Sequence, residues 1–166
     1  RLAIAPNEEL TPEQSALHQG LCVWWTKLAR MPDVLPGKQN RAQLWGAHLR
    51  FFKALLIAFR VPDCALRAKE ALDAGGSIVV SLIGTGESVA KRVLEEQGDD
   101  AVDDGFVALK EVMKAIVELA ITTAPGLVPP ELTALKTEVE QFELPPSPLD
   151  ALIHELAELD HGEVIE

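Results

Sequence analysis

The sequence contains no tyrosine, and only 5% of its 166 residues are aromatic. Apolar residues still make up 48%, enough for a chain of this length to bury a core as one ordinary globular domain. Cysteine is scarce: Cys22 and Cys64 each sit within a helical apolar pattern. That excludes a disulfide framework and reads as reduced, buried thiols of a cytosolic protein. Long hydrophobic runs are missing too. The longest, Ala54 to Phe59, is far too short to span a bilayer, and no charged-then-apolar signal segment opens the chain. The expectation is a cytoplasmic protein with no membrane partner. Because the first residue is Arg1 rather than Met, it is also expected to be a piece of something longer.

Positive charge is scarce in one half only. Residues 93–166 hold 3 Lys/Arg against 18 Asp/Glu, whereas residues 1–92 hold 12 against 8, within a net charge of −11. Phosphate contacts therefore belong to the first half, where cations can neutralise a polyanion. The acidic half suits solvated helix faces, or recruitment of a basic protein partner.

Most of the chain has helical periodicity. Thr11-Pro12-Glu13-Gln14 is a helix start with Thr as N-cap, Pro at the first position and Gln three residues on, and Leu17, Leu21, Trp24, Trp25 and Leu28 follow at helical spacing. A linker over 32–39 leads to a second helix near 42–60. Pro62-Asp63 opens a third through Leu72, closed by Gly75-Gly76. Further helices are marked by Phe106, Leu109, Met113, Ile116, Val117 and Ala120, by Leu132, Leu135, Val139 and Phe142, and by Leu149, Leu152, Ile153, Leu156 and Leu159 after the cap Ser147-Pro148.

The exception is Ser77 to Ile83, an apolar run between glycines, which predicts a strand covered on both faces and centred on Val80. The Gly84-Thr85-Gly86 turn then leads into a helix from about Glu87. In open α/β sheets, ligands meet the chain at the corner leaving such a strand. Short apolar segments at 2–5 and 164–165 are further strand candidates. The expected fold class is therefore α/β, helix-rich, with a small, mostly parallel sheet centred on residues 77–83. It forms a single domain over 1–166, with a helical part at 1–62 and the strand, turn and remaining helices at 63–166.

Several constellations invite chemistry. Gly84-x-Gly86 resembles the start of a dinucleotide fingerprint, but Val89 stands where a third glycine belongs. His154-Glu155-Leu156-Ala157-Glu158 lacks the second histidine of a zinc-protease helix, and the face of Asp150, His154 and Glu158 suits a solvated stripe. Trp45-Gly46-Ala47-His48-Leu49-Arg50-Phe51-Phe52-Lys53 concentrates aromatics and cations. There Arg50 and Lys53 reach phosphates while the aromatics anchor the helix, or the phenylalanines are core and the cations extend to solvent.

Trp45 to Lys53, Ser77 to Ser88, and the Leu144-Pro145-Pro146 connector with Leu149-Asp150-x-Leu152-Ile153 together resemble the C-terminal helicase-like region of the strawberry notch family. This is a superfamily 2 helicase-related group found in animals and in bacterial and phage genomes, and the bacterial or phage version is the one expected. The chain departs from the family pattern at Ile83-Gly84, Ser88 and Leu49, and Asp160-His161-Gly162 stands where a Gly-Arg element would begin. The resemblance implies part of a second RecA-like lobe. It also implies a parent protein that uses ATP and Mg to act on DNA as a helicase or translocase, with the other lobes as partners. The piece itself would contribute nucleic-acid contacts, hydrolyse no ATP alone and hold no metal or cofactor. The contact residues implied are Thr85, Gly86, Glu87 and Ser88, with His48, Arg50 and Lys53 as a second cluster. Two other readings stay open: an acidic helical protein-interaction module without enzymatic activity, and a small α/β nucleotide binder using the Gly84 turn.

Overall fold

The computed structural model describes residues 9–31, 34–80 and 108–157. Among them are five helices and no strand: α1 (Pro12–Arg30), α2 (Gly37–Asp73), α3 (Leu109–Thr123), α4 (Pro130–Gln141) and α5 (Pro148–Ala157).

This overturns the α/β expectation and its parallel sheet. Residues 77–80, the described part of the expected strand, are in no ladder, and Val79 is 96% exposed. The run has the β-branched composition of a strand, but a strand is stable only where a neighbour takes its backbone hydrogen bonds. Every other described element satisfies its backbone internally, as helix. The Gly84 turn, the helix after it and the short apolar segments at 2–5 and 164–165 lie outside the described residues.

The start of α1 follows from its local chemistry. Thr11 Oγ1 accepts the Gln14 N–H at 3.2 Å while Gln14 Oε1 accepts the Thr11 N–H at 3.0 Å, closing a reciprocal cap. Ser147 caps α5 differently: its hydroxyl accepts the Asp150 N–H at 3.2 Å and donates to the Asp150 carboxylate. Ser147 is buried, so this pairing also satisfies a hydroxyl cut off from water.

The second correction concerns α2. In place of two helices separated at Pro62, the first starting near residue 42, one helix runs from Gly37 through Pro62 to Asp73. Pro62 has no N–H for the Ala58 carbonyl and its ring crowds the preceding turn, a local cost of roughly 3 kcal/mol in a helix interior. Packing on both sides outweighs it: Phe51, Leu55, Ala58, Val61, Ala65 and Ala68 are all buried along α2, and each large apolar side chain so buried contributes about 1.5–3 kcal/mol. The Phe59 carbonyl, one residue beyond the orphaned acceptor, takes a hydrogen bond from Gln14 Nε2 at 3.3 Å.

Helices α1 and α2 run antiparallel, because Trp25 meets His48 and Phe51, His18 meets Phe52, and Gln14 reaches Phe59. The connection turns at Leu35, whose φ of 60° is costly for a branched side chain. Leu35 is also fully buried, and that burial holds the turn in place. Helices α3 and α4 form an antiparallel hairpin, and all three lysines of the acidic half are ion-paired on it: Lys110 and Lys114 to Glu140, Lys114 also to Glu111, and Lys136 to Glu118. These exposed pairs fix register more than they stabilise. Helix α5 lies along α2. One core joins α1 to α4, with Leu21, Trp24, Leu28, Phe51, Leu55, Met113, Val117, Leu132, Leu135 and Val139 at its centre. No helix among the described residues is long and apolar enough to cross a membrane.

Candidate nucleic-acid interface

The basic character of the first half is concentrated further than its totals suggest. From Lys27 to Arg60 the sequence has seven Lys/Arg and one acidic residue, Asp33. This stretch is the C-terminal end of α1, the turn at Leu35 and the first two-thirds of α2.

The expected cluster His48, Arg50 and Lys53 lies on α2 but does not converge. At about 100° per residue, His48 and Arg50 are about 200° apart around the helix. His48 faces α1, where its ring centroid is 5.4 Å from Trp25, 5.5 Å from Trp45 and 4.8 Å from Phe52. Burial against these rings pulls its pKa below the ordinary histidine value and favours the neutral imidazole. Arg50 folds back along its own helix: a Cβ on Gly46 would come within 3.1 Å of Arg50 Nη1. Its Nε is buried without a hydrogen-bond partner, and burial lowers its pKa as well. Lys53 is exposed, the best placed of the three to meet an external anion. Thr85, Gly86, Glu87 and Ser88 lie outside the described residues, and the described part of the strand expected to present them, 77–80, is not a strand.

His48 instead takes part in a constellation that spacing alone does not reveal. Trp25, Thr26, Ala29 and Arg30 of α1 and Leu44, Trp45 and His48 of α2 line a cleft of about 260 Å³. Trp25 is a buried wall, whereas Trp45 is 54% exposed and meets one aromatic neighbour, His48, edge to face. The Thr26 hydroxyl donates to the Cys22 carbonyl at 2.7 Å, which leaves its oxygen as an acceptor. Arg30 is exposed at the rim, and Arg41 and Lys38 are exposed one and two turns before Trp45 on α2. The sequence signal available was one of composition only: two tryptophan-bearing segments twenty residues apart, Trp25 just before the cation-rich stretch and Trp45 inside it.

Other titratable groups offer less. Burial raises the thiol pKa of Cys22 and Cys64, with Asp63 adding to the effect at Cys64, so neither is an activated nucleophile. Among the described residues no group of three or more His, Cys, Asp or Glu side chains is placed to hold a metal ion.

No protein-family model matches the chain, and no solved structure matches it. Curated sequences do. Over 76 residues, 46% of this chain, it is 36% identical to the protein strawberry notch homolog of Caenorhabditis elegans. Over 81 residues, 49% of the chain, it is 37% identical to strawberry notch homolog 1 of Homo sapiens, and over 78 residues it is 37% identical to protein strawberry notch of Drosophila melanogaster. About half of the chain is thus similar to strawberry notch proteins. The match covers 4% of the length of the Caenorhabditis and Drosophila proteins and 6% of the human one.

Proposed function

We propose that this chain is a helical part of a strawberry notch-family protein, a helicase-related ATP-dependent enzyme acting on DNA, and that its α1–α2 arm contacts nucleic acid. The observation that carries the contact is that seven cations and one acidic residue fall between Lys27 and Arg60 in a chain of net charge −11, with Lys27 ion-paired to Glu138 at 2.9 Å and Lys38, Arg41 and Lys53 exposed. Such a segregated basic surface lowers the free energy of a polyanion by releasing its counterions. The similarity of half the chain to strawberry notch proteins supports the family. ATP binding and hydrolysis belong to other parts of the parent protein, which are also this chain's partners.

Salt-dependent binding of the 166-residue chain to a DNA duplex and to a single strand tests the contact. Arg50→Ala with Lys53→Ala is expected to reduce the slope of log K against log salt by about 1–2, at roughly 0.7–0.9 for each phosphate no longer neutralised. An unchanged slope removes that pair from the surface, and no binding by the unsubstituted chain ends the proposal. A second reading, an acidic helical module recruiting a basic protein, is favoured by the all-helical described architecture and by the exposed Leu49, Leu56 and Leu66 on α2. Capture of a basic partner with no DNA binding would select it.

A further inference from the structure

We infer that the cleft between Trp25, Trp45 and His48 is a seat for a single base of a single-stranded nucleic acid, stacked on the open face of Trp45. The inference rests on the proposed nucleic-acid contact and assigns it a second, base-directed component. Three observations point to this occupant. The first is size: about 260 Å³ falls below the roughly 300–1,000 Å³ of pockets that enclose a whole drug-sized ligand, which suits one planar ring system. The second is the wall chemistry. Trp25 is held rigidly by T-shaped contacts to Trp24 at 83° and His48 at 88°, and Trp45, at 54% exposure, keeps ring surface free for a stack. The third is charge: Arg30 lines the cleft, and Arg41 and Lys38 are exposed one and two turns before Trp45 on its helix.

A basic track interrupted by an exposed aromatic is the pattern by which proteins hold single strands without reading their sequence. Phosphates run along the cations while a splayed base covers the indole. The neutral imidazole of His48 and the acceptor lone pair of Thr26 meet the edge of that base without adding charge to the cleft. An acidic peptide would satisfy the cations but would leave the flat indole face without a planar partner. An intact duplex would reach the cations but keeps its bases stacked inside.

The test uses the 166-residue chain with three probes of about 15 nucleotides: oligodeoxythymidine, oligouridine, and an abasic deoxyribose oligomer of the same length and charge. Tryptophan fluorescence reports stacking and a titration gives Kd. Oligothymidine or oligouridine is expected to quench fluorescence and to bind tighter than the abasic oligomer; whichever binds tighter identifies DNA or RNA as the source of the base. Trp45→Ala, a half-exposed position whose loss leaves the core intact, is expected to weaken base-containing oligomers by about 5- to 150-fold and to leave abasic binding unchanged. Equal binding of abasic and base-containing oligomers, or an unaffected Trp45→Ala variant, overturns the base seat while leaving the phosphate contact standing. Failure of all three probes to bind overturns both. Binding of a glutamate-rich amphipathic peptide that requires Trp45, with no oligomer binding, overturns the base seat in favour of a protein partner.

Discussion

The indole N–H of Trp24 donates to the carbonyl of Leu135 at 3.1 Å, inside the core, and so ties α1 to α4 across 111 positions of sequence. Its neighbour Trp25 is equally buried but its indole nitrogen has no hydrogen-bond partner. Two adjacent tryptophans thus differ in how their one polar atom is satisfied, and their substitutions separate accordingly.

Trp24→Phe loses a buried hydrogen bond, worth about 0.5–1.5 kcal/mol, and opens a gap beside Leu135. Trp25→Phe removes a donor that has no acceptor, so it relieves a desolvation cost while giving up packing. Denaturant titration is expected to show the Trp24 variant less stable than the Trp25 variant by about 1 kcal/mol or more. Equal losses would mean that the Leu135 bond contributes nothing net.

Gln14 works twice, accepting the Thr11 N–H and donating to the Phe59 carbonyl beside Pro62. Thr11→Ala removes the cap alone, at about 1 kcal/mol. Gln14→Ala removes its half of the cap and the tether, and is expected to cost more than Thr11→Ala. Pro62→Ala restores an N–H to the Ala58 carbonyl and should raise stability by about 1–3 kcal/mol, read as a higher denaturation midpoint at unchanged slope.

Gly46 lies within α2, and a Cβ there would meet only the far end of the Arg50 side chain. Gly46→Ala is expected to gain about 0.5–1 kcal/mol in helix propensity while turning the guanidinium outward. A loss of stability would show that Arg50 is fixed where it lies.

Stability should depend on His48 below neutral pH. Its folded-state pKa is lowered by burial from about 6.5, so between the two values the unfolded chain binds more protons and stability rises with pH. The contribution is complete above about 6.5 and is lost as pH falls through the folded value. Arg30, in the same cleft, gives the protonated ring no compensating anion. His48→Leu should therefore flatten the decline in melting temperature between about pH 7 and pH 5 relative to the unsubstituted chain. An identical decline would place the acid-sensitive group elsewhere.

The site was only half legible. His48 and Lys53 stand out in the sequence because they share one aromatic and basic block, yet the block itself cannot show that His48 turns inward while Lys53 stays in solvent. Trp25 and Arg30 gave no sign of belonging with Trp45, since nothing local to either segment says that α1 and α2 pack antiparallel. The connection at Leu35 decides that, and its positive φ is selected by burial rather than by residue type.

What the sequence determined by itself is whatever is closed within a few residues. The cap of Thr11 and Gln14, the Ser147-Pro148 start of α5 and the apolar faces of α3 and α4 all satisfy their backbone and bury one stripe by rules of spacing. What only the tertiary structure decided is whatever needs a distant partner. Ile78, Val79 and Val80 have the composition of a strand, but no ladder meets them among the described residues. Pro62 has the character of a helix break but is carried through by the packing along α2. The Trp25–Trp45–His48 cleft exists because two helices, each readable alone, meet at that crossing.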